Sequence, residues 1–318
     1  MGGNFLIYLL KKNFNVVVID NFSNSSRHNF FILKNKLKSK GLNFVFYEGC
    51  IGDNNLVNQV FSDHEFDNIY HFAALKSVPD SLKKPCLYLN NNFYKSKTFI
   101  ERAIKSNIKN FIFSSSATVY GEADNFPIKE NSPLSYKNPY GLSKILTENY
   151  LKKLSHTHKK IKFTILRYFN PLGSVFDNIY PEFFDKNSDS FGSALKKIIS
   201  QNNEEKNFKI YGNDYKTSDG SPVRDFIHLK DLLDGHFEII NKYELLKNLN
   251  IFNLGTGKGI TIINFLNIIE KIKKIKINYI FLERRKGDIS VSYADVNKIK
   301  HQIGWKSKLD YEDICEDI

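Results

Sequence analysis

The chain has 318 residues, 42% hydrophobic and 25% charged, with a formal net charge of +12. This is a globular composition sufficient for about two domains, with no apolar run long enough to span a bilayer and no signal peptide. Three cysteines without a CxxC pair argue against a disulfide framework or a metal site and fit a cytoplasmic setting, and with only six Arg among 46 basic residues the charge does not read as a nucleic-acid surface.

The chain opens on FLIYLLKK (5–12), which reads as a helix packed on a sheet, followed by NVVVID (15–20), a buried strand. Further apolar runs are NFVFY (43–47), NIYHFAA (68–74), NFIFSSS (110–116) and FTILRYF (163–169), with helical patterns over 29–39, 54–62, 86–106 and 139–154. Near-continuous apolar strands separated by helices predict an α/β, doubly wound parallel sheet of Rossmann type over residues 1–170. Residues 171–318 are less regular. Short strands near 208–211, 223–228 and 251–255 and helices near 189–200, 230–242 and 261–273 predict a smaller α/β lobe over the carboxyl ends of the strands. GTGKGIT (255–261) is not a phosphate loop, because Gly259 stands where Ser or Thr must follow the Lys, and it reads as a glycine-rich entry to a helix.

The chemistry concentrates in FSSSATVYG (113–121) and PYGLSK (139–144). Tyr140 and Lys144 are four apart on a predicted helix and so share a face. Ser116 ends a parallel strand, where open α/β sheets bind ligands. A tyrosine with a pKa of about 10 must fall by about 3 units, or about 4 kcal/mol, to act as a base at neutral pH. One cation about 4 Å away at an effective dielectric of 20 supplies about that much. Lys144 is such a cation, an oxidised nicotinamide would be a second, and Ser116 would hydrogen-bond the reacting hydroxyl and share its proton. Asp20, at a strand tip, suits an adenosine ribose and so NAD rather than NADP. Together these groups suit general-base chemistry at an alcohol carbon beside a hydride acceptor.

With these residues in place, the chain resembles the UDP-glucose 4-epimerases of the extended short-chain dehydrogenase/reductase family over nearly its whole length. The matching stretches include VVVIDNFSNS, IYHFAALKSV, FIFSSSATVYG, PYGLSK, LRYFNPLG, IYGNDYKTSDGSPVRDFIH, FNLGTGKG and RRKGDISVSYAD. The resemblance implies Tyr140 as base, Lys144 as its partner and Ser116 as hydroxyl clamp. It implies NAD held by Gly2, Asp20, Asn21, Phe72, Ala73, Ala74, Leu75, Lys76 and Asn91, with Phe169 beside the nicotinamide. Asn170, Arg224 and Arg285 would hold the UDP pyrophosphate, Tyr211 would flank the uracil and Asp288 its ribose. Ser292 would border the sugar, where a small residue leaves room for an N-acetyl group. The implied activity is interconversion of UDP-glucose and UDP-galactose in a cytoplasmic homodimer, with residues 1–170 binding NAD and 171–318 predominantly the UDP-sugar.

The departures set further expectations. Family members begin with a strand and a GxxGxxG loop, and Gly2 matches the last glycine, so the first strand of the sheet is expected to be missing from this sequence. Cys50 stands where the family has an Asp facing the adenine, and the family's Asn-Leu substrate contact is not visible in SDSFGSALKK (188–197). A 4,6-dehydratase or decarboxylase is the nearest rival, but Ala117 and Thr118 stand where such dehydratases carry an Asp-Glu pair. A non-catalytic remnant is the rival of another class.

Overall fold

The computed structural model describes residues 1–176, 191–201 and 207–318, with side chains described for all of these except residues 200 and 201. The first two residues of the helix expected at 189–200, and the start of the 188–197 stretch, lie outside the described residues.

In chain order the first half comprises α1 (Gly2–Lys11), β1 (Val17–Asp20), α2 (Arg27–Lys38), β2 (Val45–Glu48), α3 (Asn54–Asp63) and β3 (Asn68–His71). It continues with α4 (Val78–Lys83), α5 (Pro85–Leu89), a π-turn (Asn90–Tyr94), α6 (Lys95–Ala103), β4 (Asn110–Ser116), α7 (Pro139–Thr157) and β5 (Lys162–Tyr168). Side-chain caps explain several helix starts. Ser26 accepts from the Asn29 N–H, Asp53 from those of Asn55 and Leu56, and Asn138 from that of Gly141, each satisfying an orphan donor of a first turn. Pro139 at the first position of α7 needs no hydrogen bond there.

β10 (below), β5, β4 and β3 form one parallel sheet in that order. Phe111, Phe113, Phe163 and Ile165 pack its one face against α6 and α7, as Ile112 and Leu166 do the other against α9 and α11. β1 and β2 form a separate parallel pair. Among the described residues no strand pairs with the free edges of β1 or β3, and no residue of the apolar β1 is fully buried. The parallel strands of the first half therefore fall into two separate ladders. The ladders are joined by side chains: α1 buries Leu6, Ile7 and Leu10 against Val16, Val18 and Leu33, and Phe5 meets Tyr70 edge-on at 4.6 Å.

The second half adds β6 (Asn170–Leu172), α8 (Phe191–Gln201), β7 (Phe208–Tyr211), β8 (Val223–Arg224), β9 (Phe226–His228), α9 (Leu229–Asn241) and β10 (Leu249–Leu254). It ends with β11 (Ile260–Thr261), α10 (Ile262–Lys273), β12 (Tyr279–Leu282), β13 (Val291–Ser292), α11 (Asn297–Ile303) and α12 (Tyr311–Glu316). Division at residue 170 does not follow the packing throughout. β10 is an edge strand of the main sheet, and α9 and α11 bury Leu232, Ile239, Ile299 and Ile303 on it. The smaller lobe consists of α8, α10, α12 and three short ladders: β6 with β9, β7 with β12, and β8 between β11 and β13.

The division into two ladders makes a prediction for amide exchange. β1 amides should exchange at least about tenfold faster than those of β4, which is paired on both sides, because unpaired strand edges open locally at lower free energy. Equal protection of the two strands, measured by hydrogen–deuterium exchange, would contradict this arrangement.

Candidate active site

Ser116 ends β4 in register with Tyr168 of β5, and Tyr140 is the second residue of α7. The start of α7 lies close to the turn after β4. A Cβ at Gly141 would come within 3.0 Å of the Thr118 carbonyl, so glycine after the tyrosine lets the helix meet the strand end. Tyr140 lies near enough to the Ser116 hydroxyl to feel it, and that hydroxyl accepts from the Thr118 N–H at 3.3 Å. Lys144, 3% exposed, donates to the Ser114 carbonyl at 2.7 Å and lies 4.8 Å from the Phe113 ring and 5.8 Å from that of Tyr140. The structure thus brings the three expected catalytic side chains together.

Their electrostatics differ from the expectation. Burial pushes the Tyr140 hydroxyl up to about 12, the Ser116 hydroxyl opposing it and Tyr88 adding to it. Burial pushes Lys144 down to about 7, with Glu148 pulling it back up. Desolvation disfavours both charged forms and outweighs their mutual attraction. Lowering Tyr140 to near 7 then takes about 5 units, or about 7 kcal/mol. Lys144 alone does not supply this, and a second cation is needed.

The residues expected to hold a dinucleotide are spread over α1, the end of β1, the loop after β3 and the π-turn. At the N-terminus of α1, a Cβ on Gly2 would meet nothing within 4 Å, and the buried Asn4 Oδ1 has no hydrogen-bond partner. An open approach, an orphaned acceptor and the positive end of a ten-residue helix fit a pyrophosphate with its bound water. Asp20 Oδ1 accepts from Phe22 N–H at 2.7 Å and Ser25 Oγ at 3.1 Å, bonds that leave Oδ2 unused. Asn21, exposed, accepts from Ser23 N–H. Phe72 packs 5.8 Å from Phe5, Ala73 and Lys76 are exposed, and the Ala74 carbonyl accepts from Asn24 at 2.9 Å. Both backbone groups of Leu75 are clipped by Asn92, at 2.8 and 2.9 Å, while Asn91 donates to Asn92. Cys50, half-buried, accepts from the Gly52 N–H. Phe169 is buried beside Tyr120.

Two residues beyond Tyr168, Asn170 lines a cavity of about 570 Å³ that also presents Tyr211, Arg224, Arg285 and Asp288. The Arg285 guanidinium lies 3.5 Å over the Tyr211 ring. Arg224 donates to the Val223 carbonyl at 2.9 Å. Burial pulls Arg224 down and pushes Asp288 up, while their mutual attraction opposes both shifts. Ser292 is not on the cavity lining. It is buried on β13, paired in register with Arg224.

Four features escaped the sequence reading: the Asn92 clip, the buried Glu148–Arg167 pair, the unpartnered buried Thr118 hydroxyl and Asp225. Asp225, fully buried, accepts from the N–H groups of Thr256, Gly257 and Ala294 at 2.8–3.1 Å. The GTGKG turn therefore wraps an internal carboxylate, consistent with reading it as no phosphate loop. The NNN run at 90–92 held a signal for Asn92, but spacing alone cannot choose among three asparagines.

A parallel sheet with a Ser–Tyr–Lys constellation at its carboxyl edge and an arginine-lined cavity beyond defines a nucleotide-dependent enzyme acting on an alcohol. Residues 1–255 match the NAD dependent epimerase/dehydratase family, and the chain belongs to that family. It is 37% identical to the UDP-glucose 4-epimerase of Pasteurella multocida over 320 residues, covering 100% of this chain and 93% of that protein. Among solved structures it is similar to UDP-glucose 4-epimerase from Bifidobacterium longum in complex with NAD+ and UDP, with a TM-score of 0.91, 34% identity and coverage of 99% and 92%. It is also similar to the UDP-Glc/GlcNAc 4-epimerase from Campylobacter jejuni, with a TM-score of 0.81, 31% identity and coverage of 99% and 94%.

The raised Tyr140 pKa is directly measurable. Without cofactor, an ultraviolet difference titration of wild type against Tyr140→Phe should show no Tyr140 phenolate below about pH 10, and adding NAD should lower the midpoint. A cofactor-free midpoint near neutrality would overturn the electrostatic account.

Proposed function

We propose that this chain interconverts UDP-glucose and UDP-galactose, with Tyr140, Ser116 and Lys144 acting at the sugar C4 hydroxyl. The observation that carries the reading is the placing of Ser116, Tyr140 and Lys144 together at the carboxyl edge of the sheet, with Asn170, two residues beyond β5, on the lining of the arginine-bearing cavity. NAD supplies the hydride acceptor and donor, and its cationic oxidised ring is the second cation that Tyr140 needs. Asp20 would accept from the adenosine ribose through Oδ2, with Asn21 beside it. Gly2 and α1 would face the pyrophosphate, and the Phe72–Lys76 loop and Asn91 would line the remainder.

Tyr140 takes the O4 proton while Ser116 holds that oxygen, and Lys144 stabilises the phenolate before and after the transfer. The 4-keto sugar then rotates so that the other face of C4 would receive the hydride back, and Tyr140 returns the proton to O4. Arg224 and Arg285 grip the pyrophosphate as a pair of forked donors, so rotation does not release the substrate. Asn170 joins them, Tyr211 flanks the uracil and Asp288 accepts from its ribose. Seating uracil on Tyr211 requires Arg285 to leave the ring face and turn to phosphate. Ala117 and Thr118 offer no second acid and base, which disfavours dehydration. A cytoplasmic homodimer is the proposed working form, to be tested by sedimentation and fractionation.

Tyr140→Phe should lower kcat about 10²–10⁴-fold with the fold unchanged by circular dichroism, since general-base catalysis contributes on that scale. Near-normal turnover would sink the assignment.

A second reading extends the substrate range. Ser292 is small but buried beside Arg224 and off the cavity lining, so this reading rests on the resemblance, in which a small residue here leaves room for an acetamido group at C2. Activity on UDP-N-acetylglucosamine is expected, with Ser292→Tyr suppressing it selectively. Equal loss on both sugars, or no N-acetyl activity in the parent, would reject this reading.

A further inference from the structure

We propose that Glu148 is a positioning residue for this reaction, its buried carboxylate fixing the Ser116 strand end against the Tyr140 helix as a counter-charge one helical turn from Lys144. The inference rests on the roles proposed for Tyr140 and Lys144.

Residues 140, 144 and 148 recur at i, i+4 and i+8 on the inward face of α7, so Glu148 stands one turn beyond Lys144, away from the cavity. Glu148 is fully buried. Its Oε1 accepts from the Ser115 hydroxyl at 2.6 Å and Arg167 Nε at 3.0 Å, and its Oε2 from Arg167 Nη2 at 2.6 Å. Ser115 adjoins Ser116, and Arg167 adjoins Tyr168, the residue in register with Ser116. One carboxylate therefore holds the base-bearing helix to both strands whose ends carry the chemistry.

The charge argument follows from what surrounds Lys144. From β3 comes His71, which hydrogen-bonds Ser96 of α6 and is held neutral by burial and by Lys144 itself. From β4 come the Phe113 ring and the Ser114 carbonyl, and from α7 Tyr140 and Glu148. Tyr88 of α5, with Asp80 behind it, acts on Tyr140, and Tyr140 in turn on Tyr168 of β5, while Lys152 lies 3.9 Å from Glu148. Among the described residues, Glu148 is the anion that acts on Lys144. Burial works against the ammonium, and Glu148 is the group that opposes it.

The test measures Lys144 directly. In protein labelled with ¹³C at lysine Cε, the Lys144 resonance is the one lost in Lys144→Arg, and its titration midpoint is read by NMR. Glu148→Gln should lower that midpoint by about one pH unit, and the alkaline limb of kcat should move down with it. Glu148→Asp keeps the charge and should restore most of both shifts while sharing any packing defect. Glu148→Gln strands a buried guanidinium, so the Glu148→Gln/Arg167→Gln double variant decides the matter if the single one does not fold. An unchanged lysine midpoint in whichever of these folds, or an equal drop in Glu148→Asp, would overturn the proposal. Failure of the underlying reading looks different: Tyr140→Phe would turn over normally while the lysine titration still reported on Glu148.

Discussion

The structure around the reaction centre depends on an ion pair that water does not reach. Taking a carboxylate and a guanidinium out of water costs several kcal/mol each, and the attraction between them repays this only when the remaining donors and acceptors are filled. Here they are filled. Beyond its two bonds to Glu148, Arg167 donates to the Tyr120 hydroxyl and the Glu130 carbonyl, both at 2.9 Å. Tyr120 passes the network to Asn253 of β10 at 2.6 Å, and the Glu130 carboxylate accepts from the Asn253 N–H. Three strands, one helix and the loop before it thus meet at a single guanidinium. Losing one partner of such a pair typically costs about 3–5 kcal/mol, a large share of a stability of about 5–15 kcal/mol.

The residues proposed for catalysis and those proposed for cofactor capture sit on sheets of unequal size, one of four strands and one of two. Ser116, Tyr140 and Lys144 belong to the four-stranded sheet and its helix, fixed by the polar network just described. Asp20 belongs to the two-stranded piece, held to the rest by α1, by aromatic contacts and by the Asn24–Ala74 bond. A perturbation of the smaller piece therefore reaches affinity for the dinucleotide before it reaches the geometry of proton transfer. Perturbation of the larger piece does the reverse.

Much of this was legible in the sequence. Element types followed from continuous apolar runs and helical spacing, and Tyr140, Lys144 and Ser116 from their spacing and their place at a strand end. Membership of β10 in the main sheet was not legible, because LNIFNL states that a strand is buried but not which strand lies beside it. The Tyr140 pKa shift ran opposite to expectation because pairwise attraction can be written down from spacing, whereas desolvation depends on everything packed around the ring. Ser292 could be placed in the sequence but not seen to lie behind Arg224 and off the cavity wall. Arg167 sits in a recognisable stretch, LRYFNPLG, yet nothing in that stretch marks its guanidinium as 1% exposed.

The π-turn at Asn90–Tyr94 ties helix phase to the cofactor loop. Each residue added to an α-helix advances the direction of its side chains by about 100°. A π-turn absorbs one extra residue, so the helical segments on either side are out of step with a single continuous repeat. Tyr88 before it, Asn92 within it, and Ser96, Phe99 and Ile100 after it are all buried nonetheless. A one-residue deletion here would give a more regular helix and a worse protein: either Tyr88 or the Ser96–Ile100 face would swing about a quarter turn from its seat. The apparent irregularity is the offset that lets one rod satisfy two neighbours at once.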